Sequence, residues 1–184
     1  NEFLESSDPD IFAIGDCAEF KKHPTGRRHI EQVWYTGKIM GETVAQTVIG
    51  NRTMYNPGIW FNSAKFFDIE YQTYGIVRNK LADNEAEFYW AFEDGLKCIH
   101  LIYDKSSQVF LGINSFGIRI RHEVMDNWLA NKLTIDEVMG RLNEANFDPE
   151  FYKLHESEIV EKFNAENKTN IQLKKKKWMG IFSS

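Results

Sequence analysis

Cysteine is scarce in this chain. Cys17 and Cys98 are the only two among 184 residues, they stand far apart, and neither belongs to a CxxC pair. That excludes a disulfide scaffold and a cysteine-based zinc site, and it suits a reducing, cytoplasmic compartment. The five histidines, His23, His29, His100, His122 and His155, show no metal-ligand spacing among themselves. No apolar run approaches the length of a membrane span, and the residues after Asn1 do not read as a signal peptide. Positive charge is not in excess either. Lys and Arg number 22 against 27 Asp and Glu, a net charge of −5 that gives no general reason to expect nucleic acid as a partner.

What is present is the composition of a packed protein. Hydrophobic residues make up 42% and charged residues 27%, which excludes a disordered chain. Aromatic residues reach 14%, with five tryptophans, and imply a well-packed core or an extensive interface. The length suits one domain with a full core, or one domain with appendages. The absence of an initiator Met and the opening in the middle of a motif suggest a piece of something longer.

Three zones separate by pattern. In the first, Asp8-Pro9-Asp10 reads as a turn, and Ile11-Phe12-Ala13-Ile14 reads as a strand buried on both faces. Gly15 allows a tight turn, which leaves Asp16 at the carboxyl end of that strand, where open α/β sheets bind ligands. A polar loop over 21–28 follows, and then a helix over 31–49, with Val33, Tyr35, Ile39, Met40, Val44 and Val48 as packing positions. Gly50 stands as its terminator. Gly37 and Gly41 inside that helix each cost about 1 kcal/mol against Ala, so a close approach of another backbone is expected there.

The middle zone, 67–117, reads as antiparallel sheet. The strand over 69–74 stops at Gly75, the strand over 87–92 leads through Asp94-Gly95 into another over 97–103, and a turn at 104–107 leads into a third over 109–114. Phe88, Trp90 and Phe92 share one face by alternation. The last zone is helical: one helix over 119–131 with Val124, Trp128 and Leu129 inward, and a capping box at Thr134-Ile135-Asp136-Glu137. A further helix, started by Asp148-Pro149, ends near Asn167.

Residues 8–18, followed by Ile30-Glu31-Gln32-Val33-Trp34-Tyr35-Thr36-Gly37-Lys38-Ile39-Met40-Gly41, resemble the FAD-dependent pyridine nucleotide–disulfide oxidoreductases. Trp60, Asp68-Ile69-Glu70-Tyr71-Gln72-Thr73-Tyr74-Gly75 and Phe110-Leu111-Gly112-Ile113-Asn114 extend the likeness to the family's C-terminal interface domain, in the branch of ferredoxin reductase and apoptosis-inducing factor. The resemblance implies FAD as cofactor and NAD(P)H as co-substrate. Gly15, Asp16, Gln32, Val33 and Trp34 would bind the flavin, with Asp16 on the ribityl chain and the helix amides on the ring. Such amides suit a ring that gains negative charge on reduction. No catalytic residue and no metal site is assigned.

It implies an α+β fold: an antiparallel sheet with flanking helices, plus a remnant strand and helix of the FAD-binding domain. Residues 1–50 would be that remnant, 51–166 the interface or dimerisation domain, and 167–184 a basic, mobile tail. The family's glycine-rich dinucleotide loop, its nicotinamide domain and a redox cysteine pair are not in this sequence, so the fragment alone is expected to be inactive. The departures favour direct transfer from flavin to an acceptor, or oxidase chemistry, over disulfide exchange. A homodimer, upstream FAD and NAD domains and an electron-acceptor protein are the implied partners, and the tail over Lys174–Trp178 offers a membrane surface or a solubilising end. The alternative is a non-catalytic dimerisation or interaction module, whose aromatic surface would come from Trp60, Trp90 and Phe92.

Several residues also have plainer readings. Asp16 can be a turn residue, Trp34 a core residue, Cys17 a small buried one, and Arg27 and Arg28 part of a solvated loop. His155-Glu156 lacks the proline of the family's His-Pro pair and reads as helix surface.

Overall fold

The helix expected over 31–49 forms as α1, Trp34–Val48, in the computed structural model of the chain, which describes residues 1–25, 27–147, 149–150 and 153–174. Its end is the one the sequence announces. The Gly50 amide donates to the Thr47 carbonyl (3.0 Å) and the Asn51 amide to that of Gln46 (2.9 Å), with Gly50 at φ +95°, so the last carbonyls are satisfied by a Schellman turn. Its start is later than expected. Val33 is the extended N-cap, and Glu31 stays outside because its side chain is drawn into a buried cluster.

The buried face of α1 also differs from the apolar stripe. Thr36, Met40 and Thr43 are buried, while Val48 is 67% exposed. The threonines can turn inward because each hydroxyl donates back along the helix, Thr36 to the Val33 carbonyl (2.8 Å) and Thr43 to that of Ile39 (2.9 Å). Met40 joins Leu4, Phe20 and Tyr55 in a small core against which Ile39 and Val44 pack.

Residues 11–14 do not form a buried strand. Phe12 makes one isolated antiparallel bridge with Glu5, and Ile11 and Ile14 are 56% and 39% exposed. A strand covered on both faces needs a sheet to enter, and among the described residues only the segment 4–6 pairs with it.

These elements belong to the first of two compact units, Asn1–Asn62. A boundary after residue 50 would cut through this unit, since Tyr55 lies in its core. The second unit, Ser63–Ser184, is built on a five-stranded antiparallel sheet whose first strand begins at the end of the first unit. Its strands are β1 (Phe61–Phe66), β2 (Ile69–Gly75), β3 (Glu85–Ala91), β4 (Cys98–Asp104) and β5 (Phe110–Phe116), in the order β1-β2-β5-β4-β3. The sequence pattern does not reveal β1. It is an edge strand with Asn62, Ser63 and Lys65 inside it, so no alternation develops.

The turns are those expected. Asp94 Oδ1 accepts the Leu96 amide (2.8 Å) between β3 and β4. Asp104 accepts from the amides of Ser106 and Ser107 and from the Ser107 hydroxyl, bonds that with Asn84 hold its carboxyl down at about 2.

One face of the sheet is the core. Phe88 opposes Leu101 and Trp90 opposes Ile99, and helices α2 (His122–Ala130), α3 (Ile135–Gly140) and α4 (Glu156–Asn167) bring Trp128, Met125, Ile135, Val138 and Phe163 to the same interior. The capping box of α3 forms as expected, with Thr134 Oγ1 accepting the Glu137 amide and Glu137 Oε2 accepting the Thr134 amide (2.8 Å). Helix α4 ends at Asn167 as anticipated but starts at Glu156; Phe147 and Leu154 are exposed, and the buried run Ile159, Val160 and Phe163 begins only beyond them. Asp148, expected to cap that helix, and residues 175–178 of the lysine tail lie outside the described residues.

Trp90 is therefore no surface residue. It is 4% exposed, and the alternation that carries it inward sends Tyr89 outward. No helix among the described residues is long and apolar enough to cross a membrane.

Candidate functional site

The Gly15-Asp16 turn and the amino end of α1 meet through glycine. Gly15 lies at φ +82°, which a side chain rarely adopts, and its amide points at Met40 Sδ (3.3 Å). A Cβ placed on Gly37 would lie 3.8 Å from the Gly15 Cα, and one on Gly41 would lie 4.0 Å from Ile14 Cδ1. A methyl at either position would make only ordinary van der Waals contact, so the turn lies against the first turns of α1 without requiring glycine there. The close approach inferred from sequence is present.

Asp16 is exposed, and its carboxylate meets no hydrogen-bond or ionic partner among the described residues. Across the contact, α1 opens without a side-chain cap and without an acidic residue in its first turn. A free carboxylate and an uncapped positive helix end side by side can accept from hydroxyls and donate to an anion. Gln32 is exposed and Val33 half-buried at the helix entry. Trp34 is not core: it is 71% exposed, edge-on to Tyr35 (5.2 Å), with Lys38 Nζ 5.8 Å from its ring centre. Position 34 is the first of the helix, and its side chain leans toward the amino end, where no preceding helical turn exists to pack against. Cys17 is exposed rather than buried, because the chain turns at Gly15 and only Ala18 goes inward.

A polar cluster that the sequence does not announce lies directly before α1. Glu31, His23 and Tyr55 are buried. Glu31 Oε1 accepts from Arg27 Nη1 (3.3 Å), and Oε2 accepts from the Tyr55 hydroxyl (3.3 Å) and stands 3.5 Å from His23 Nε2. Arg27 is accordingly not a solvated loop residue, and it also donates to the Gly58 carbonyl. Burial and the Glu31 charge push the Tyr55 hydroxyl well above its ordinary pKa, so it stays a donor. The spacing of His23, Arg27 and Glu31 is a signal in hindsight, but Pro24 disguises it and nothing in sequence ties Tyr55 to them.

Burial lowers the His23 pKa below its ordinary 6.5, with Arg27 and His29 adding to the effect and Glu31 opposing it. The unfolded chain therefore takes up this proton more readily than the folded one. Stability from this group is complete above the unfolded value and is lost as pH falls through 6.5 toward the depressed folded value. Urea midpoints of the wild type are expected to fall between about pH 7 and pH 5, and His23→Gln should flatten that limb. Parallel profiles for the two proteins would assign the limb elsewhere.

The other singled-out groups are structural. His100 pairs with Glu87 (2.7 Å) on the sheet. His155 and Glu156, expected on a helix surface, are buried: the imidazole packs on Trp90 (5.2 Å) and Phe92 (4.7 Å), and Glu156 Oε1 accepts from Asn146 (2.7 Å). They precede and open α4 on the side that faces the sheet. Among the described residues no three metal-ligating side chains come together.

No family model matches the chain. It is similar to the coenzyme A disulfide reductase of Staphylococcus aureus (strain bovine RF122 / ET3-1), with 27% identity over 152 residues, 75% of this chain and 34% of that protein. Among solved structures it is similar to a NAD-dependent persulfide reductase from A. fulgidus, with a TM-score of 0.66 at 21% identity over 91% of this chain and 34% of that one. It is also similar to a FAD-dependent pyridine nucleotide-disulphide oxidoreductase from Desulfovibrio vulgaris, with a TM-score of 0.56 at 20% identity over 76% and 36%. The α+β fold is that of these neighbours, and the chain resembles the C-terminal part of FAD-dependent pyridine nucleotide-disulfide oxidoreductases. It spans about a third of the length of the curated relatives it matches.

Proposed function

We propose that this chain forms the flavin-contacting and interface part of an FAD-dependent NAD(P)H oxidoreductase. The observation that carries the reading is the seating of the Gly15-Asp16 turn beside Gly37 on the uncapped amino end of α1. The donor and acceptor set fits a flavin. Asp16 offers the ribityl hydroxyls a carboxylate that has no partner among the described residues, and the amides around Gln32, Val33 and Trp34 offer positive potential to the ring edge. Bound there, FAD would supply two-electron redox chemistry between NAD(P)H and an acceptor. The exposed Trp34 would shield one border of the site from water.

Residues 1–62 then act as a piece of the flavin domain and the sheet unit as the interface domain. The relative named for coenzyme A disulfide reduction favours a sulfur-containing acceptor, against the direct transfer that the sequence suggested. The test is the whole protein's flavin spectrum together with NADH and NADPH consumption against disulfide, persulfide, quinone and oxygen acceptors. A colourless protein that oxidises neither nucleotide would overturn the reading.

A second role in association is favoured by exposed apolar side chains. On the sheet unit, Phe66, Phe67, Ile69 and Tyr89 are 63%, 97%, 61% and 51% exposed. Apolar exposure of this kind marks contact surfaces. The chain is expected to dimerise in solution, by multi-angle light scattering, and Phe67→Asp should shift it toward monomer. A monomeric mass at high concentration would sink the expectation.

A further inference from the structure

The cluster before α1 is more than a filled core. The apolar residues Leu4, Phe20 and Met40 already close the interior of the first unit, with the Tyr55 ring stacked on Phe20 at 5.6 Å. Burying a carboxylate among them costs desolvation that an apolar side chain would avoid. The carboxylate does, however, gather three backbone segments to one point: the loop that carries His23 and Arg27, the helix entry at Glu31, and the strap from Tyr55 to Gly58, whose carbonyl Arg27 also holds.

The histidine sets the fourth side. Its Nδ1 accepts the Thr25 amide (3.2 Å), which leaves the proton on Nε2, the nitrogen nearest Glu31. That contact, at 3.5 Å, has no hydrogen-bond geometry, so Nε2 acts on the carboxylate through its partial charge. Beyond Glu31 the backbone is locked in turn. Thr36 Oγ1 donates to the Val33 carbonyl (2.8 Å) and reaches that of Glu31 (3.4 Å), and the Gly37 amide closes the first helical bond on Val33 (3.1 Å).

We propose that Glu31, gripped by Arg27, Tyr55 and His23, is a positioning residue that sets the direction of the first-turn amides of α1 and hence the charge they present to the flavin ring. The proposal rests on the flavin reading above. It assigns to Glu31 a role through the backbone, with no contact to the cofactor. Without the grip, the helix entry frays and its amides turn to water, while the far end of α1, closed by Gly50, is untouched.

Two measurements test it. In this chain, Glu31→Ala should speed hydrogen exchange of the Gly37 amide by about tenfold while leaving Ile49 and Gly50 unchanged. Equal acceleration at both ends, or none at Gly37, overturns the grip. In the flavin-loaded whole protein, the same variant should weaken binding of reduced flavin relative to oxidised flavin by about tenfold, read as a more negative midpoint potential. An unmoved potential overturns the link to the ring. Should Glu31→Ala fail to fold, Tyr55→Phe keeps the ring stack and removes only the hydroxyl, and both effects should appear at about threefold. If Asp16→Ala also leaves flavin binding intact, it is the flavin reading that has failed and not the grip, because the exchange measurement needs no flavin.

Discussion

Asp16→Ala is expected to strip most of the flavin from the whole protein while leaving the fold of this chain intact. The carboxylate is exposed and has no partner among the described residues, so its removal breaks no internal contact. In the flavin reading it accepts from ribityl hydroxyls, and a hydrogen bond to a charged group contributes about 1.5–3 kcal/mol, so binding should weaken about 10- to 100-fold. Asp16→Asn keeps an acceptor without the charge and should fall between. The flavin-to-protein absorbance ratio after dialysis measures the loss, and the circular dichroism of this chain shows whether the fold is preserved. Full occupancy in Asp16→Ala would remove Asp16 from the site.

Gly112→Ala should destabilise the sheet unit by about 3 kcal/mol or more, at the upper end of what overpacking costs. Gly112 on β5 opposes Gly75 on β2, and the chain folds over this pair as it leaves β2. A Cβ on Gly112 would stand 2.6 Å from both the nitrogen and the oxygen of Ile76 and 2.7 Å from the Tyr74 oxygen. These are backbone atoms, and the Ile76 amide is already committed to the Leu111 carbonyl (2.8 Å), so none can move aside without opening the β2–β5 ladder. Gly41→Ala is the matched comparison. Its nearest neighbour would be the end of the flexible Ile14 side chain at 4.0 Å, and a helical Ala should leave stability unchanged or raise it by about 1 kcal/mol. Urea midpoints compare the two, and equal shifts would show that the chain's approach to the Gly75–Gly112 pair of β2 and β5 is not tight.

The expected features that formed are those governed by local chemistry. The Asp94-Gly95 and Asp104–Ser107 turns, the capping box at Thr134 and the stop at Gly50 each depend on side chains a few residues apart. The meander of β3, β4 and β5 follows from alternation joined by those turns. The departures have a common physical origin as well. Ile11 to Ile14 has the composition of a buried strand, but burial needs paired neighbours on both edges, and composition does not supply them. Trp34 has the hydrophobicity of a core residue, yet the first position of a helix leaves it uncovered. His155 and Glu156 have the polarity of a surface, yet the ring faces of Trp90 and Phe92 and the Asn146 amide accept them inside.

By itself, then, the sequence determined the sheet meander, the caps and turns, and the Gly15-Asp16 motif with its glycine-bearing helix. These are properties of composition and of neighbours in the chain, where spacing alone sets what can hydrogen-bond or pack. Only the tertiary structure decided that β1 adds an edge, that β2 and β5 pair with two glycines facing each other, and that Asp16 has no partner among the described residues beside an uncapped helix. It alone brought Tyr55 across to Glu31, His23 and Arg27. Such contacts join residues distant in sequence, and no local pattern encodes them, because their geometry depends on how the whole unit closes.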